Sequence, residues 1–170
     1  MALGSVALVS GCGASSPSAP DHSLSVTSGP DTPRSTSTNS LVNASPQDVC
    51  SDLGIASVAG DTSVDYGPAD ARRRAAQQYG TPALQQQWAG SGQDQQWDAL
   101  KAAHARINAT ATPVGDDLPP AQNGQASAAA TITPTATLPN GQHQPMTTFV
   151  IYCGLQQVNG AWRVTTVNLA

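Results

Sequence analysis

The chain has 170 residues, a length that suits a single domain with extensions. Only 11% of its residues are charged, and the formal net charge is −4 at pH 7. The one basic cluster is Arg72-Arg73-Arg74, which we interpret as a solvated helix face, with a partner-binding patch as the alternative. A mildly acidic chain with so short a basic run lacks the electrostatic surface for nucleic acid, so we expect no nucleic-acid partner.

The amino terminus combines a short apolar stretch, MALGSVALV, with Ser10, Gly11 and Cys12. An apolar run that ends in small residues is typical of an export signal and its cleavage site. The segment Val9–Cys12 resembles the bacterial lipobox, which implies a signal peptide over residues 1–11 and acylation (palmitate-type chains) of Cys12. Two acyl chains suffice for stable anchoring, at about 0.8 kcal/mol per buried methylene. We therefore expect the protein at the outer face of the cell membrane; the alternative is a chance Cys in an apolar amino terminus.

The segment that follows Cys12 is predicted to be a disordered, lipid-anchored linker over residues 12–46. It consists mainly of Ser, Thr, Pro, Gly, Ala and Asp, and it contains His22. Such a composition offers too little apolar surface to offset the entropy of ordering the chain. Residues 47–170 are then predicted to form one domain.

The first part of this domain carries helical signals. Residues 48–68 alternate short apolar pairs with Gly and Asp, and we interpret them as a loop. Helix formers, capping residues and Pro at first-turn positions then predict three helices: Ala71–Tyr79, Ala83–Trp88 and Asp94–Ile107. In the third helix, one apolar stripe arises from the spacing of four residues, Trp97, Leu100, His104 and Ile107.

The second part changes to the period of β-strands. Strands are predicted at residues 107–114, 125–138, 146–158 and 162–169, and Pro134 indicates an edge or a bulge in the second of them. The turn signals Pro139-Asn140-Gly141 and Asn159-Gly160 separate the later strands. Helices followed by a meandering antiparallel sheet predict an α+β domain.

This order of elements, with the closing segment Gly160-Ala161-Trp162-Arg163-Val164, resembles the nuclear transport factor two-like (cystatin-like cone) superfamily. Many bacterial members end in a similar G-x-W-x-V hairpin. The helical stretch from Ala71 to Trp88, followed by Trp97, also resembles small exported actinobacterial proteins of this class, some of which belong to conjugative elements and are similar to the scaffold subunit of type IV secretion. The resemblance implies N-terminal helices packed on a curved, cone-like sheet. It leaves function open, because this fold hosts enzymes, carriers and scaffolds.

The cysteines give the firmest chemical prediction. With Cys12 lipidated, Cys50 and Cys153 remain as an even pair in an oxidising compartment, so we predict a disulfide between them. A redox-active or metal-binding pair is the alternative. It has little support, because the sequence contains no CxxC motif.

The histidines offer little for catalysis. His143 lies in a predicted turn and is expected to be solvated. His104 lies on the apolar stripe of the third helix and, in enzymes of the cone superfamily, a His/Asp pair acts at this place. Asp94 and Asp98 are its nearest partners, but neither lies one helical turn away; a helix histidine bonded to a backbone carbonyl is the alternative. We predict no catalytic residues, no metal site and no cofactor.

A conical cavity could still hold a small apolar molecule or lipid, and its predicted lining is one set of aromatic residues with His104: Tyr79, Trp88, Trp97, His104, Phe149, Tyr152 and Trp162. The alternative is that these aromatic residues simply fill the core. We expect a non-catalytic envelope lipoprotein that acts as a binding or assembly module with other envelope proteins, for example in a conjugation or secretion apparatus. The alternatives are a carrier of a small hydrophobic ligand and, with less support, a cyclase- or isomerase-like enzyme.

The lipobox leads to a direct prediction on the mature protein. Mass spectrometry of protein extracted from native membranes is expected to find the chain beginning at an acylated Cys12. A Cys12→Ser variant is expected to lose both the acyl mass and the membrane association. An intact mass equal to unmodified residues 1–170 would contradict the prediction.

Overall fold

The computed structural model describes residues 41–62, 68–89, 95–115 and 118–170. The predicted signal peptide, Cys12 and most of the predicted linker therefore lie outside the described residues. Four helices and six strands follow one another along the described chain: α1 (Pro46–Ala56), β1 (Gly60–Asp61), α2 (Pro68–Tyr79), α3 (Pro82–Ala89), α4 (Gln95–Ala102), β2 (Arg106–Val114), β3 (Gln125–Thr137), β4 (His143–Pro145), β5 (Phe149–Val158) and β6 (Ala161–Leu169). The predicted α+β class, with helices and a curled antiparallel sheet, is confirmed.

The first helix corrects the interpretation of residues 48–68 as a loop, because α1 occupies the first part of this segment. Ser45 caps the helix: its hydroxyl accepts a hydrogen bond from the Asp48 backbone N–H at 3.1 Å, and the Asp48 carboxylate accepts one from the Ser45 N–H at 3.2 Å. This reciprocal pair is a capping box, and Pro46 suits the first turn because its missing N–H is not needed there. The helix therefore has a strong start that its Gly and Ser residues obscure in the sequence.

The folded part also begins earlier than residue 47. Leu41 has only 2% of its surface exposed and belongs to the main core, and Ala44 packs against that core. The predicted linker over residues 12–46 is therefore wrong for its last six residues. An apolar side chain at the end of a polar segment is enough to extend the domain.

The sheet has the order β1-β2-β3-β5-β6, and all of these pairs are antiparallel. The short strand β4 also pairs with β3, beyond Ile132, which is the last residue of β3 that pairs with β5. Pro134 lies at this change of partner, since β5 pairs as far as Ile132 and β4 begins opposite Thr135. The predicted irregularity at Pro134 is thus a gap between two partner strands. Proline has no N–H, and it fits here because no strand continues past Pro134 on this side to accept a hydrogen bond from it.

The turn at Asn159-Gly160 closes the β5–β6 hairpin as predicted. Both residues have positive φ angles, 51° and 78°, which is the requirement of the tight turn that matches the twist of two adjacent strands. Asn tolerates this region better than most residues, and Gly adopts it without steric cost.

The helix α1 packs closely against the sheet at Gly54. A Cβ atom at this position would lie 2.8 Å from Cγ1 of Ile132 on β3 and 3.3 Å from Cγ2 of Ile151 on β5. No larger side chain fits without a shift of these buried neighbours. One turn earlier on the same helix, Cys50 forms the predicted disulfide with Cys153 of β5, with the Cα atoms 5.9 Å apart. The disulfide prediction is confirmed.

The buried apolar side chains form two clusters. The main one joins α1, α2 and α3 to the inner face of β3, β5 and β6, and it includes the disulfide. A smaller one joins α2 and α4 to β2 and β3 through Ala71, Trp97, Leu100, Ile107 and Ala136. None of the helices in the described part of the chain is long and apolar enough to cross a membrane.

The disulfide closes a loop of 103 residues in sequence. In the chain-entropy description, a loop of this size contributes about 4.7 kcal/mol, and removal of native disulfides from small exported domains typically costs about 2–5 kcal/mol. We expect Cys50→Ser, or Cys153→Ser, to lower the free energy of unfolding by about 2–5 kcal/mol in urea titrations under non-reducing conditions. Cys12→Ser is the matched control and is expected to leave this stability unchanged. Equal stability of all three variants would contradict a structural role for the disulfide.

Candidate functional site

An aromatic pocket in the described part of the chain lies between the main core cluster and the smaller one. Its volume is about 210 Å³. Val58, Trp88 and Phe149 contribute walls from the main cluster, and Trp97 and Met146 contribute walls from the smaller one. Among the described residues, the lining consists of Ser57, Val58, Arg72, Trp88, Trp97, Pro134, Met146, Thr147, Phe149 and Leu169. This described lining is mainly apolar, with one charged residue.

Three of the predicted lining residues, Trp88, Trp97 and Phe149, do line this pocket. Both indoles are largely buried, at 8% and 6% exposed, so they form fixed walls. Leu169 is exposed, with 58% of its surface accessible, and it extends the apolar surface outward at the end of β6. Large aromatic walls with few polar groups are typical of sites for small apolar molecules.

The other predicted aromatic residues do not line this pocket. Tyr79 is 2% exposed and fills the main core. Trp162 is partly buried and packs against the same core, seven residues along β6 from Leu169. Tyr152 is 43% exposed, because it alternates with the inward-facing residues Ile151 and Cys153 of β5. Tyr79 and Trp162 therefore follow the alternative in which the aromatic residues fill the core, and Tyr152 is an exposed residue of the sheet.

His104 is not on a helix and is exposed, so its prediction as a pocket residue is wrong. The helix α4 ends at Ala102, and His104 adopts a positive φ of 50° just beyond it. Its N–H donates to the Lys101 carbonyl, and the next N–H, of Ala105, donates to the Leu100 carbonyl, both at 3.0 Å. This is the Schellman ending of a helix, in which the left-handed residue turns the chain away. Ile107 therefore lies on β2 and not on the predicted helical stripe.

Arg72 is the functional candidate that sequence reasoning missed. It lies on α2 and is half-buried, whereas Arg73 and Arg74 are exposed. Arg73 pairs with Asp70 at the surface. Arg72 has no ion-pair or hydrogen-bond partner among the residues that the structure describes, and it lines the pocket. The basic cluster is therefore a solvated face at two residues and part of a pocket wall at the third.

The helical spacing gives the signal that separates Arg72 from its neighbours. Three buried residues, Ala75, Ala76 and Tyr79, lie at i+3, i+4 and i+7 from it. Those offsets define one face of a helix, so Arg72 belongs to the face that packs on the rest of the protein. Neither Arg73 nor Arg74 shares this relation with all three residues.

A second, wider depression of about 610 Å³ lies near the other end of β3. Its lining is dominated by Pro, Gln and Asn side chains together with strand residues, among them Pro119, Gln122, Asn123, Gln125 and Gln156. It offers no aromatic wall and no charged group. The smaller aromatic pocket is the better binding site because its walls provide apolar surface on several sides.

The free edge of β2 is relevant to assembly with other chains. The Met146 N–H donates to the Pro134 carbonyl at 3.2 Å from the side of β4. The Pro134 carbonyl therefore points away from β2. Ala109 lies opposite Pro134, and it therefore directs its own N–H and C=O outward. Ala111 and Pro113 alternate onto the same edge. Since Pro113 has no N–H, this edge offers only two outward donors beyond the stretch that β1 covers.

The free edge of β6 is partly covered by the α2–α3 connection. The Thr81 N–H donates to the Val164 carbonyl at 2.9 Å, and Gln87 Nε2 donates to the Val167 carbonyl at 3.2 Å. Arg163 donates to the Gln78 carbonyl from the strand side. These bonds occupy the positions where another strand would pair.

His143 starts the short strand β4 and is exposed, with Nδ1 3.1 Å from the Thr137 hydroxyl. In the described residues, no group of three His, Cys, Asp or Glu side chains lies close enough to hold a metal ion. Neither His104 nor His143 lines the aromatic pocket. The arrangement can therefore bind a molecule in the pocket, but it places no histidine there for acid or base chemistry.

The chain matches no known protein-family model, and no curated protein is similar to it in sequence. Among solved structures, the intermembrane space region of the chloroplast protein ARC6 is similar to it at 15% identity. The alignment covers 64% of this chain and 84% of that chain, with a TM-score of 0.36. Similarity at this level carries no argument about function. Membership of the nuclear transport factor two-like superfamily stays a prediction.

The position of His104 leads to a stability test. Because a left-handed residue costs less as Gly, His104→Gly is expected to leave the free energy of unfolding unchanged or to raise it by up to about 1 kcal/mol. Trp97→Ala, on the same helix, removes a buried wall and is expected to cost about 3–5 kcal/mol. Urea unfolding of both variants measures the difference. A loss of 2 kcal/mol or more in His104→Gly, as for a buried side chain, would contradict the helix-ending role.

Proposed function

We propose that this protein is a non-catalytic, exported binding module that takes up a small apolar molecule in its aromatic pocket. The observation that carries the proposal is the pocket of about 210 Å³ between Trp88, Trp97 and Phe149. An engineered apolar cavity of about 150 Å³ binds benzene, so this volume suits a molecule with one aromatic ring and a short chain. The buried indole walls reduce the ordering cost of binding, because they are held by the core before a ligand arrives.

The proposed location is outside the cytoplasm, with the chain anchored to the membrane through Cys12. The Cys50–Cys153 disulfide supports an oxidising compartment, because structural disulfides are rare where thiols are kept reduced. The lipobox at Val9–Cys12 supports the anchor. In this proposal the domain works as a tethered receptor or carrier at the cell surface.

Two other roles have less support from the described residues. Assembly by strand addition needs an open edge, and the edge of β2 has only two outward donors before Pro113, while the edge of β6 is partly covered. A cone-type enzyme needs an acid or base in the pocket, and His104 lies elsewhere. Membership of the cone superfamily is a further proposal, which the order of elements and the Gly160–Val164 hairpin support.

The three tryptophans provide an internal test of the binding proposal. We expect the indole N–H resonances of Trp88 and Trp97 to shift in titrations with 4-phenyl-1-butanol, followed by ¹⁵N–¹H NMR of the disulfide-bonded domain. Trp162 is expected to stay unshifted, because seven residues of β6 separate it from Leu169 at the pocket, about 23 Å along the strand.

A pair of loop variants supplies the matched control. Thr147 lines the pocket and is exposed, whereas its neighbour Thr148 is exposed and is not part of the lining. Thr147→Phe is expected to fill the pocket and weaken binding by about tenfold or more, and Thr148→Phe is expected to bind as the unmodified protein does. Equal shifts at all three indoles, or none at any of them, would contradict the proposed function.

A further inference from the structure

Arg72 is the only charged residue among the described residues of the pocket lining, and none of the residues that the structure describes forms an ion pair or hydrogen bond with its side chain. Arg72 as a residue is half-buried beside apolar walls, and burial of a charged side chain becomes less costly when a group of opposite charge compensates it. No Asp is among the described residues of the lining. The described part of the chain therefore holds a planar donor, with N–H groups that its own residues do not use, at the wall of an aromatic pocket.

We propose that the ligand of this pocket is a carboxylic acid with an apolar, ring-sized body, and that Arg72 binds its carboxylate. This inference rests on the proposed function and names the class of ligand. The apolar body would lie between the indole walls of Trp88 and Trp97, with the carboxylate directed to the guanidinium. Arginine suits this role because its planar fork matches the two oxygens of a carboxylate.

The charge balance favours a carboxylate over a phosphate. A carboxylate carries one negative charge, which a single guanidinium neutralises. A phosphate monoester carries about −1.5 to −2 charges near pH 7, and the described residues of the lining include no second cation to balance the excess. The volume of the pocket also limits the size of the ligand. About 210 Å³ holds one ring with a short chain but not the two chains of a phospholipid.

A matched pair of probes tests the inference. The disulfide-bonded protein is titrated with 4-phenylbutyrate and with 4-phenyl-1-butanol, which share one carbon skeleton and differ in the head group. The readout is the shift of the Trp88 and Trp97 indole resonances. We expect the acid to bind at least about tenfold more tightly than the alcohol, because a hydrogen bond to a charged partner adds to the common apolar contact.

Two arginine variants show whether this preference arises at Arg72. Arg72→Gln is expected to bind both probes with the affinity of the alcohol, and its unchanged alcohol binding also shows that it is folded. Arg73→Gln removes the same charge from the next residue of α2, outside the pocket, and is expected to keep the full preference.

The outcomes separate the two proposals. Equal affinity for acid and alcohol in the unmodified protein, or a preference that persists in Arg72→Gln, overturns the role of Arg72 and leaves the pocket as an apolar site. Tighter binding of 4-phenylbutyl phosphate than of 4-phenylbutyrate overturns the assignment of a carboxylate. Absence of binding by every probe overturns the proposed function itself.

Discussion

The close contact of α1 with the sheet is the constraint on which the rest of this fold depends. Gly54 lets the helix approach Ile132 and Ile151 at a distance that no Cβ would allow, and Cys50 then lies 5.9 Å, Cα to Cα, from Cys153. The small residues Ala128 and Ala130 on β3 face the same contact. Close approach and covalent bond support each other, because the disulfide geometry is met only when the backbones are this near.

The pocket lies away from this close contact, because none of Gly54, Cys50 and Cys153 belongs to its described lining. Aliphatic side chains fill the region between α1 and the sheet, whereas Trp88, Trp97 and Phe149 lie toward the end of β3 where its partner changes from β5 to β4. Trp88 and Phe149 belong to or pack against the main cluster, whereas Trp97 and Met146 belong to or pack against the smaller one. The two core clusters therefore remain separate at the pocket, and the aromatic walls are supported from behind by packed side chains.

The sequence contains most of the fold, for identifiable reasons. The four long strands were predictable from alternation and from the turns at Asn140-Gly141 and Asn159-Gly160, since those turns require residues that tolerate positive φ, whereas the short strands β1 and β4 were not predicted. The disulfide followed from the number of cysteines. The helix α1 was missed because Gly54 is unfavourable in an isolated helix, and its reason for being there, the contact with Ile132, is tertiary. The signal at Ser45-Pro46-Gln47-Asp48 was present, with Asp in place of the more usual Glu of a capping box.

The candidate site was less predictable, because it depends on where elements end. The apolar spacing from Trp97 to Ile107 fits a longer helix, and no Gly or Asn marks the true end at Ala102. Ala105 is buried against the same cluster as Leu100, so burial of this pair helps to stabilise a left-handed His104 where local preference alone would not. β2 begins directly after that turn. The turn places His104, the histidine that the enzyme hypothesis needed, outside the described lining of the pocket.

Arg72 illustrates the opposite case, in which a residue dismissed by composition gains meaning from geometry. A run of three arginines has the appearance of a solvated face, but a helix places consecutive residues about 100° apart, so such a run cannot lie on one side. The burial of Ala75, Ala76 and Tyr79 identifies the packed side of α2. Of the three consecutive arginines, only Arg72 lies on this side. An arginine on the packed face of a helix places its aliphatic stem against neighbouring residues. In the described part of this chain it faces a cavity, and the other walls of that cavity, apolar and aromatic, suit the uncharged remainder of an organic acid.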